Sequence, residues 1–391
     1  MKKAISIFLA VLMAASLLTA CKKTGNASLA NADSDEIKIG VFEPITGANG
    51  AGGSMEVQGI KLANKLYPEV LGKKVKLIIE DNKSDKVEAA NAAKRLIEQD
   101  KVSAVIGSWG SSLAMAAGPT AKMMKVPIVG ASCTNPNVTK NNDYYFRVCF
   151  IDPFQGTVMA NFAFKDLHAK SAAIIQEVSN DYSVGLAKFF MDSFIKLTGN
   201  KNAILSQPLN YQTGDQDFSS QLTTIKKLNA DVIFAPGNFT ESALLIKQAR
   251  QLGIKTPIIG GDTWEADEFL QLGGSAVEGA VFSTFFAKDK PLNSESEKFL
   301  KEFDAEYKGK EPSAVSALGY DAYRVILDAI KRAGSADSVK IRDELAKTKD
   351  FVGAAGNITF DEDRNAIKNA VIKKVEGGKF KYMTTIEPEN N

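Results

Sequence analysis

Histidine is almost missing: the 391 residues hold one, His168, with three cysteines and two tryptophans. One imidazole and a few scattered thiols cannot assemble a nitrogen–sulfur metal cluster. A Ser–His–Asp arrangement would have to recruit His168, and no Gly-x-Ser-x-Gly turn offers the serine. No phosphate-cradling Gly-x-x-x-x-Gly-Lys-Ser/Thr loop occurs either. No cofactor is therefore expected. Charge of one sign is also lacking, since 48 basic and 46 acidic residues leave +2. A nucleic-acid binder would carry a basic excess. After the first 20 residues no apolar run approaches the length of a membrane span.

The N-terminus carries a compartment signal. Lys2 and Lys3 precede an uncharged stretch, Ala4 to Ala20, at the short limit for crossing a bilayer and placed where a secretory signal belongs. It ends in Leu18-Thr19-Ala20-Cys21, which resembles a bacterial lipobox with Cys21 as the lipidated residue. Residues 1–20 are expected to be a signal peptide and 21–36 a lipidated cysteine and flexible tether. The protein is then extracytoplasmic and lipid-anchored to the cell membrane, periplasmic or at the cell surface. Stable anchoring takes more than one acyl chain. Removal of Lys2 and Lys3 brings the net charge to about zero. Cys133 and Cys149 remain, and in an oxidising compartment a disulfide between them is open.

The mature body, roughly 370 residues, exceeds what one core usually serves, so two domains are expected. The pattern predicts strand Ile37–Phe42, helix Met55–Tyr67, strand Val75–Ile79, and a helix capped by Ser84 with Val87, Ala90, Ala93, Leu96 and Ile97 inward. Strand Ala104–Ile106, helix Ser111–Met124 and strand Pro127–Val129 follow. The alternation implies a parallel sheet covered on both faces. It then repeats with strand Ala172–Ile175, a helix after Asp181, strand Val232–Phe234, a helix from about Thr240 to Leu252, and strand Pro257–Ile259. Val126-Pro127-Ile128-Val129-Gly130 and Thr256-Pro257-Ile258-Ile259-Gly260 lie 130 positions apart within matching surroundings. The fold class is α/β, with two similar Rossmann-like lobes. Gly47 to Gly53 imitates a dinucleotide turn, but Met55 stands where the third glycine is required, leaving a glycine-lined turn at a cleft edge.

Ligands of open parallel sheets bind beyond the C-terminal strand ends. The first lobe places Ser108 to Ser112 and Ala131 to Asn135 there, and the second places Gly237 to Glu241 and Gly261 to Trp264. Hydroxyls at helix N-termini suit a carboxylate, whereas acids and aromatics suit a cation and an apolar body. Ser132 and Asp262 are 130 positions apart, and the duplication makes them equivalents facing each other. A zwitterion fits: carboxylate on Ser111, Ser132 and Thr134, ammonium on Asp262. Alternatively, these residues only cap helices, and Glu241 completes a capping box with Asn238.

At these residues the chain resembles the leucine/isoleucine/valine-binding type of type I periplasmic binding protein, from Ile37 to about Tyr382. The matching stretches include Val105–Ser112, Pro127–Pro136, Phe146-Arg147, Asp152 to Gly156, Asp181-Tyr182 and Gly319 to Ala322. The resemblance implies lobes joined by three crossovers, near Cys149–Ile151, Val281–Thr284 and Gly353–Asn357. Lobe 1 is then 37–149 plus 283–354, and lobe 2 is 150–282 plus 355–387. It also implies closure on an amino acid-like ligand, branched-chain by default, and delivery by a monomer to an ABC permease. Ser111, Ser132, Thr134 and Asp262 keep the family's positions for ligand carboxylate and ammonium. Gly52 stands where the family commonly has an aromatic, and a tyrosine expected near Asn238 is absent. Trp109, Phe154, Tyr182, Phe239 and Trp264 are the aromatics left to line the pocket. A sensor clamp for a signalling partner and a dinucleotide-fold enzyme are the other readings.

Overall fold

A computed structural model describes residues 35–388. The predicted signal peptide, Cys21 and most of the tether lie outside the described residues. Glu36, expected in the tether, instead opens the first strand.

The first half runs β1 (Glu36–Glu43), α1 (Gly50–Leu66), β2 (Glu69–Val70), β3 (Lys73–Asp81), α2 (Lys86–Glu98), β4 (Ala104–Ile106), α3 (Ser111–Met124), β5 (Ile128–Gly130) and β6 (Tyr145–Arg147). Then come α4 (Asp152–Asn161), β7 (Ala172–Glu177), α5 (Asp181–Thr198), β8 (Leu209–Tyr211), α6 (Ser219–Leu228), β9 (Val232–Phe234), α7 (Phe239–Gln251), β10 (Ile258–Gly260), α8 (Asp267–Gly273) and β11 (Val281–Thr284). The chain closes with α9 (Ser294–Glu306), α10 (Ala314–Ala333), α11 (Ser338–Leu345), β12 (Phe351–Gly353), β13 (Gly356–Ile358), β14 (Ala370–Glu376) and β15 (Lys379–Ile386).

Two large sheets result, ordered β2-β3-β1-β4-β5-β6 and β15-β14-β11-β10-β9-β7-β8, beside a two-stranded pair, β12-β13. Their parallel cores, β3-β1-β4-β5-β6 and β8-β7-β9-β10-β11, have the same order, so the lobes share one topology. In each, the order reverses between the first strand and the third, and ligands bind at such a switch point. The loops after β1 and β4 therefore matter in one lobe, and those after β7 and β9 in the other.

Strand periodicity explains the layers. Ile39 and Val41 of β1 point into a core shared with α1 and α10, while Phe42 joins α2 and α3 on the opposite face. Gly59 and Gly319 let α1 and α10 meet backbone to backbone: a Cβ on Gly59 would lie 1.8 Å from the Ser316 carbonyl oxygen. This close approach fixes the buried face of α1.

Several local expectations are corrected. Asp85 caps α2 through the amides of Val87 and Glu88, while Ser84 ties the β1 loop through Thr46 and Asn49. Val87 is 66% exposed because it sits on the outer side of the first turn. Cys133 and Cys149 are buried free thiols.

The chain passes between the sheets three times. The first pass joins β6 to α4. The second follows Thr284, because Ser283 and Thr284 still pair with β14 in the second sheet. The third falls between Asn365, which bridges to Arg147 of β6, and Ala370 of β14. The last two thus lie downstream of the expected 283 and 355 boundaries, since pairing extends each sheet further along the chain. Arg147 holds the first and third passes together, donating through Nε to Asn365 Oδ1 at 2.7 Å and through Nη1 to the carbonyls of Cys133 and Asn135. Among the described residues no helix is long and apolar enough to cross a membrane.

Candidate functional site

The lobes meet around a cavity of about 80 Å³ lined by the switch-point loops of both. On the first lobe, β4 leads into Trp109, Gly110 and Ser111. Gly110 takes φ 89° and supplies no side-chain cap, leaving the first turn of α3 to other acceptors. Ser111 Oγ accepts from the Asn135 amide at 3.1 Å, which docks the loop after β5 beside the helix end. Ser132 in that loop donates to the carboxyl of Glu56. The Thr134 hydroxyl and both oxygens of Asp152 are fully buried without a well-formed hydrogen bond among the described residues, and the hydroxyl lies near enough to the Asp152 carboxyl to favour its ionised form.

Trp109 explains the glycine at position 52. A Cβ there would come within 2.4 Å of the indole ring, so the ring occupies the space of a first-loop side chain. Its other edge meets Phe239 of the second lobe, with centroids 6.0 Å apart.

On the second lobe, Asp262 follows β10 and is 4% exposed. Its Oδ1 accepts from Gln155 Nε2 at 2.7 Å and from the Tyr182 hydroxyl at 2.9 Å. Burial pushes the carboxyl up to about 6 even though both donors favour the ionised form. Asn238 stands at the start of α7 but does not cap it. Its amide donates to Asn49 Oδ1 across the gap at 3.0 Å, and Glu241 accepts from the Gly214 amide instead of completing a capping box.

The walls are in direct contact. Asp181, in the first turn of α5, takes Lys86 Nζ at 3.0 Å and Ser112 Oγ at 2.7 Å, and its carbonyl accepts from Asn135 Nδ2. This is a shut cleft.

Trp109, Ser111, Ser132, Tyr182, Asn238 and Asp262 are thus brought together on the cavity wall. Thr134 and Phe239 stand just behind it. Phe154 packs edge-on against Phe150, which lies 4.4 Å from Phe285 beside the crossings. Trp264, expected to line the pocket, is fully buried and stacks on Phe269 at 5.0 Å. The 3₁₀ turn Asp262–Trp264 sends the two side chains apart, the acid to the cavity and the indole to the core.

Sequence reasoning missed an acidic layer behind these walls. Glu43 and Glu56 are wholly buried and adjacent. Burial, reinforced by Glu56, holds Glu43 well above the usual carboxylate range, and burial pushes Glu56 to about 7. Asp152 is pushed to about 8 by burial, with the nearby Asp262 charge adding to it. A signal existed for Glu56: it interrupts the small and apolar face of α1 formed by Gly52, Gly53, Val57 and Ile60.

Comparison with known proteins follows the same lines. The family model described as periplasmic binding protein matches residues 36–379. A Leu/Ile/Val-binding protein homolog from Brucella melitensis is 29% identical over 344 residues, covering 86% of this chain and 90% of that one. Among solved structures, a leucine binding protein, LivK, from Thermotoga maritima is 44% identical, with TM-score 0.87 over 90% of this chain and 99% of that one. The branched-chain amino acid transporter substrate binding protein LivJ from Streptococcus pneumoniae, in complex with isoleucine, is 33% identical, with TM-score 0.84 over 90% and 100%.

Proposed function

The chain belongs to the periplasmic binding protein family, and from that premise we propose that it is the solute-binding component of an ABC importer, capturing a small α-amino acid. The lobes close over the ligand and present the closed form to a membrane permease. The Cys21 lipobox tethers the monomer outside the cytoplasmic membrane. No chemistry is performed on the ligand, in keeping with the solute-binding relatives.

One observation carries the amino acid reading. The Asp262 carboxyl lies in the cavity opposite the Ser111 and Ser132 wall, 4% exposed and, among the described residues, without a cation at hydrogen-bonding distance. A buried carboxylate is costly unless a cation pairs with it, and a ligand ammonium supplies one. Charge-assisted hydrogen bonds contribute about 1.5–3 kcal/mol each, so three or four support micromolar binding, roughly −8 kcal/mol. The names of the relatives make leucine, isoleucine and valine the first ligands to test.

The test is a calorimetric and thermal-shift panel on the mature body, with amino acids, small amides, aromatic acids and sugars. An α-amino acid should bind, and its decarboxylated and deaminated analogues should not. Binding of a sugar or aromatic acid with no response to any amino acid would sink the proposal.

A further inference from the structure

Ser132 has one hydroxyl proton, and in this structure Glu56 receives it. The other Glu56 oxygen, Oε2, and Oε1 of Glu43 are buried and without a donor among the described residues, and the two carboxyls are near enough for each to act on the other. Two such oxygens stay together in a buried site only with a proton between them. Glu43 is its holder, with Oε2 already occupied by the Trp109 amide at 2.6 Å. Glu56 is the second acid of the pair, and burial raises it to about 7.

The groups that act on or respond to Glu56 are Glu43 from β1, Cys133 beyond β5, Tyr145 from β6, Cys149 behind it, and Asp262 from the second lobe, with Arg147 of β6 beside the two cysteines and Tyr145. α10 meets it with the backbone of Gly319. Burial pushes Cys133 to about 12 and raises Tyr145 and Cys149 well above their ordinary values, so these stay neutral. The Arg147 guanidinium is occupied by the Cys133 and Asn135 carbonyls and by Asn365. Near neutral pH the exchangeable protons belong to Glu43, Glu56 and Asp262, and to Asp152 beside Asp262.

While Glu56 is ionised, Ser132 shows the cleft only lone pairs, which repel a carboxylate. Once Glu56 is protonated, it donates to Ser132 Oγ and the hydroxyl proton turns toward the ligand. We propose that Glu56 is the positioning residue that sets the polarity of Ser132, so that capture of the ligand carboxylate there takes up one proton from solvent. One hydrogen bond, Ser132 to Glu56, is exchanged for two, Glu56 to Ser132 and Ser132 to ligand. The added proton, drawn from the buffer, balances the step. This rests on the reading of the ligand as an α-amino acid held by its carboxylate on the first lobe.

The test is calorimetry with the tightest-binding of the common amino acids, L-leucine first, in two buffers of different ionisation enthalpy. At about pH 8 uptake should approach one proton per ligand, and affinity should fall about tenfold per pH unit above pH ~7. Glu56→Gln places a permanent amide donor at Ser132 and should bind at about pH 8 with no uptake. Glu56→Ala should bind more weakly at every pH. Wild-type binding without uptake overturns the proposal even if neither variant folds, as does uptake that persists in Glu56→Gln. If no amino acid binds, the functional reading falls and takes this proposal with it.

Discussion

At the scale of single residues, the hydrogen bonds of Asp262 come from neutral groups, and the proposed function gives it a ligand ammonium as its counter-charge. One of its oxygens has two neutral donors, Gln155 and Tyr182, which aim the carboxyl without neutralising it. Asp262→Asn keeps the shape and leaves a ligand ammonium poorly paired, so amino acid affinity should fall by about 2–4 kcal/mol. Calorimetry showing unchanged affinity would remove Asp262 from the site. The pH dependence has a definite sign. In the ligand-free protein Asp262 is protonated below about 6, so affinity should decline as pH falls through that value. Asp262→Asn should lose this acid limb and keep any alkaline one. Asp262 and Ser132 were legible because a duplicated sequence sets them at equal offsets in two loops. Glu56 was missed although it interrupts the small and apolar face of α1, and Asp152 was not legible, because before Pro153 it looks like an ordinary helix start.

At the scale of elements, the N-terminus of α5 makes the contacts of a latch across the gap. Asp181 reaches Lys86 at the start of α2 and Ser112 at the start of α3, so three helix ends converge across the gap. The Lys86 and Asp181 side chains are 53% and 47% exposed, and screening by solvent limits such a pair to at most about 1 kcal/mol. Asp181→Ala should therefore weaken ligand binding by no more than roughly fivefold, more at low salt than at high. It touches no ligand group, so the order of preference among amino acids should not change. Equal affinities for wild type and variant at low ionic strength would show that the latch contributes nothing to closure. The longer helices and the apolar strands were readable from their periods. Of the three-residue strands, the wholly apolar β4 and β9 were read, whereas β8 and β12, which are only partly buried, were not. The caps failed for a different reason. Asn238 and Glu241 have the spacing of a capping box, but Asn49, distant in sequence, and the Gly214 amide claim their side chains first.

At the scale of the whole molecule, the two lobes were legible because each is one α/β unit repeated in the same strand order. The crossings were harder to place, because pairing with β14 and the Arg147–Asn365 bridge are long-range choices that no local pattern records. What the sequence could not convey is the electrostatic consequence of bringing the lobes together. In the shut cleft Glu56 from one lobe and Asp262 from the other are both buried, and the Asp262 charge disfavours ionised Glu56 as it does ionised Asp152 beside the first crossing. Burial raises all three, to about 7, 6 and 8. A carboxyl raised in the closed form favours closure fully at a pH below its ordinary value. That contribution is lost as pH climbs through the raised value. The ligand-free protein should thus be more closed at about pH 5 and more open at about pH 8.5. A bound amino acid should hold it shut at both, since its ammonium pairs with Asp262. Small-angle scattering measures this directly, as a radius of gyration that grows with pH without ligand and stays constant with it. An unchanged radius in the ligand-free protein across that range would mean that the buried acids do not govern closure.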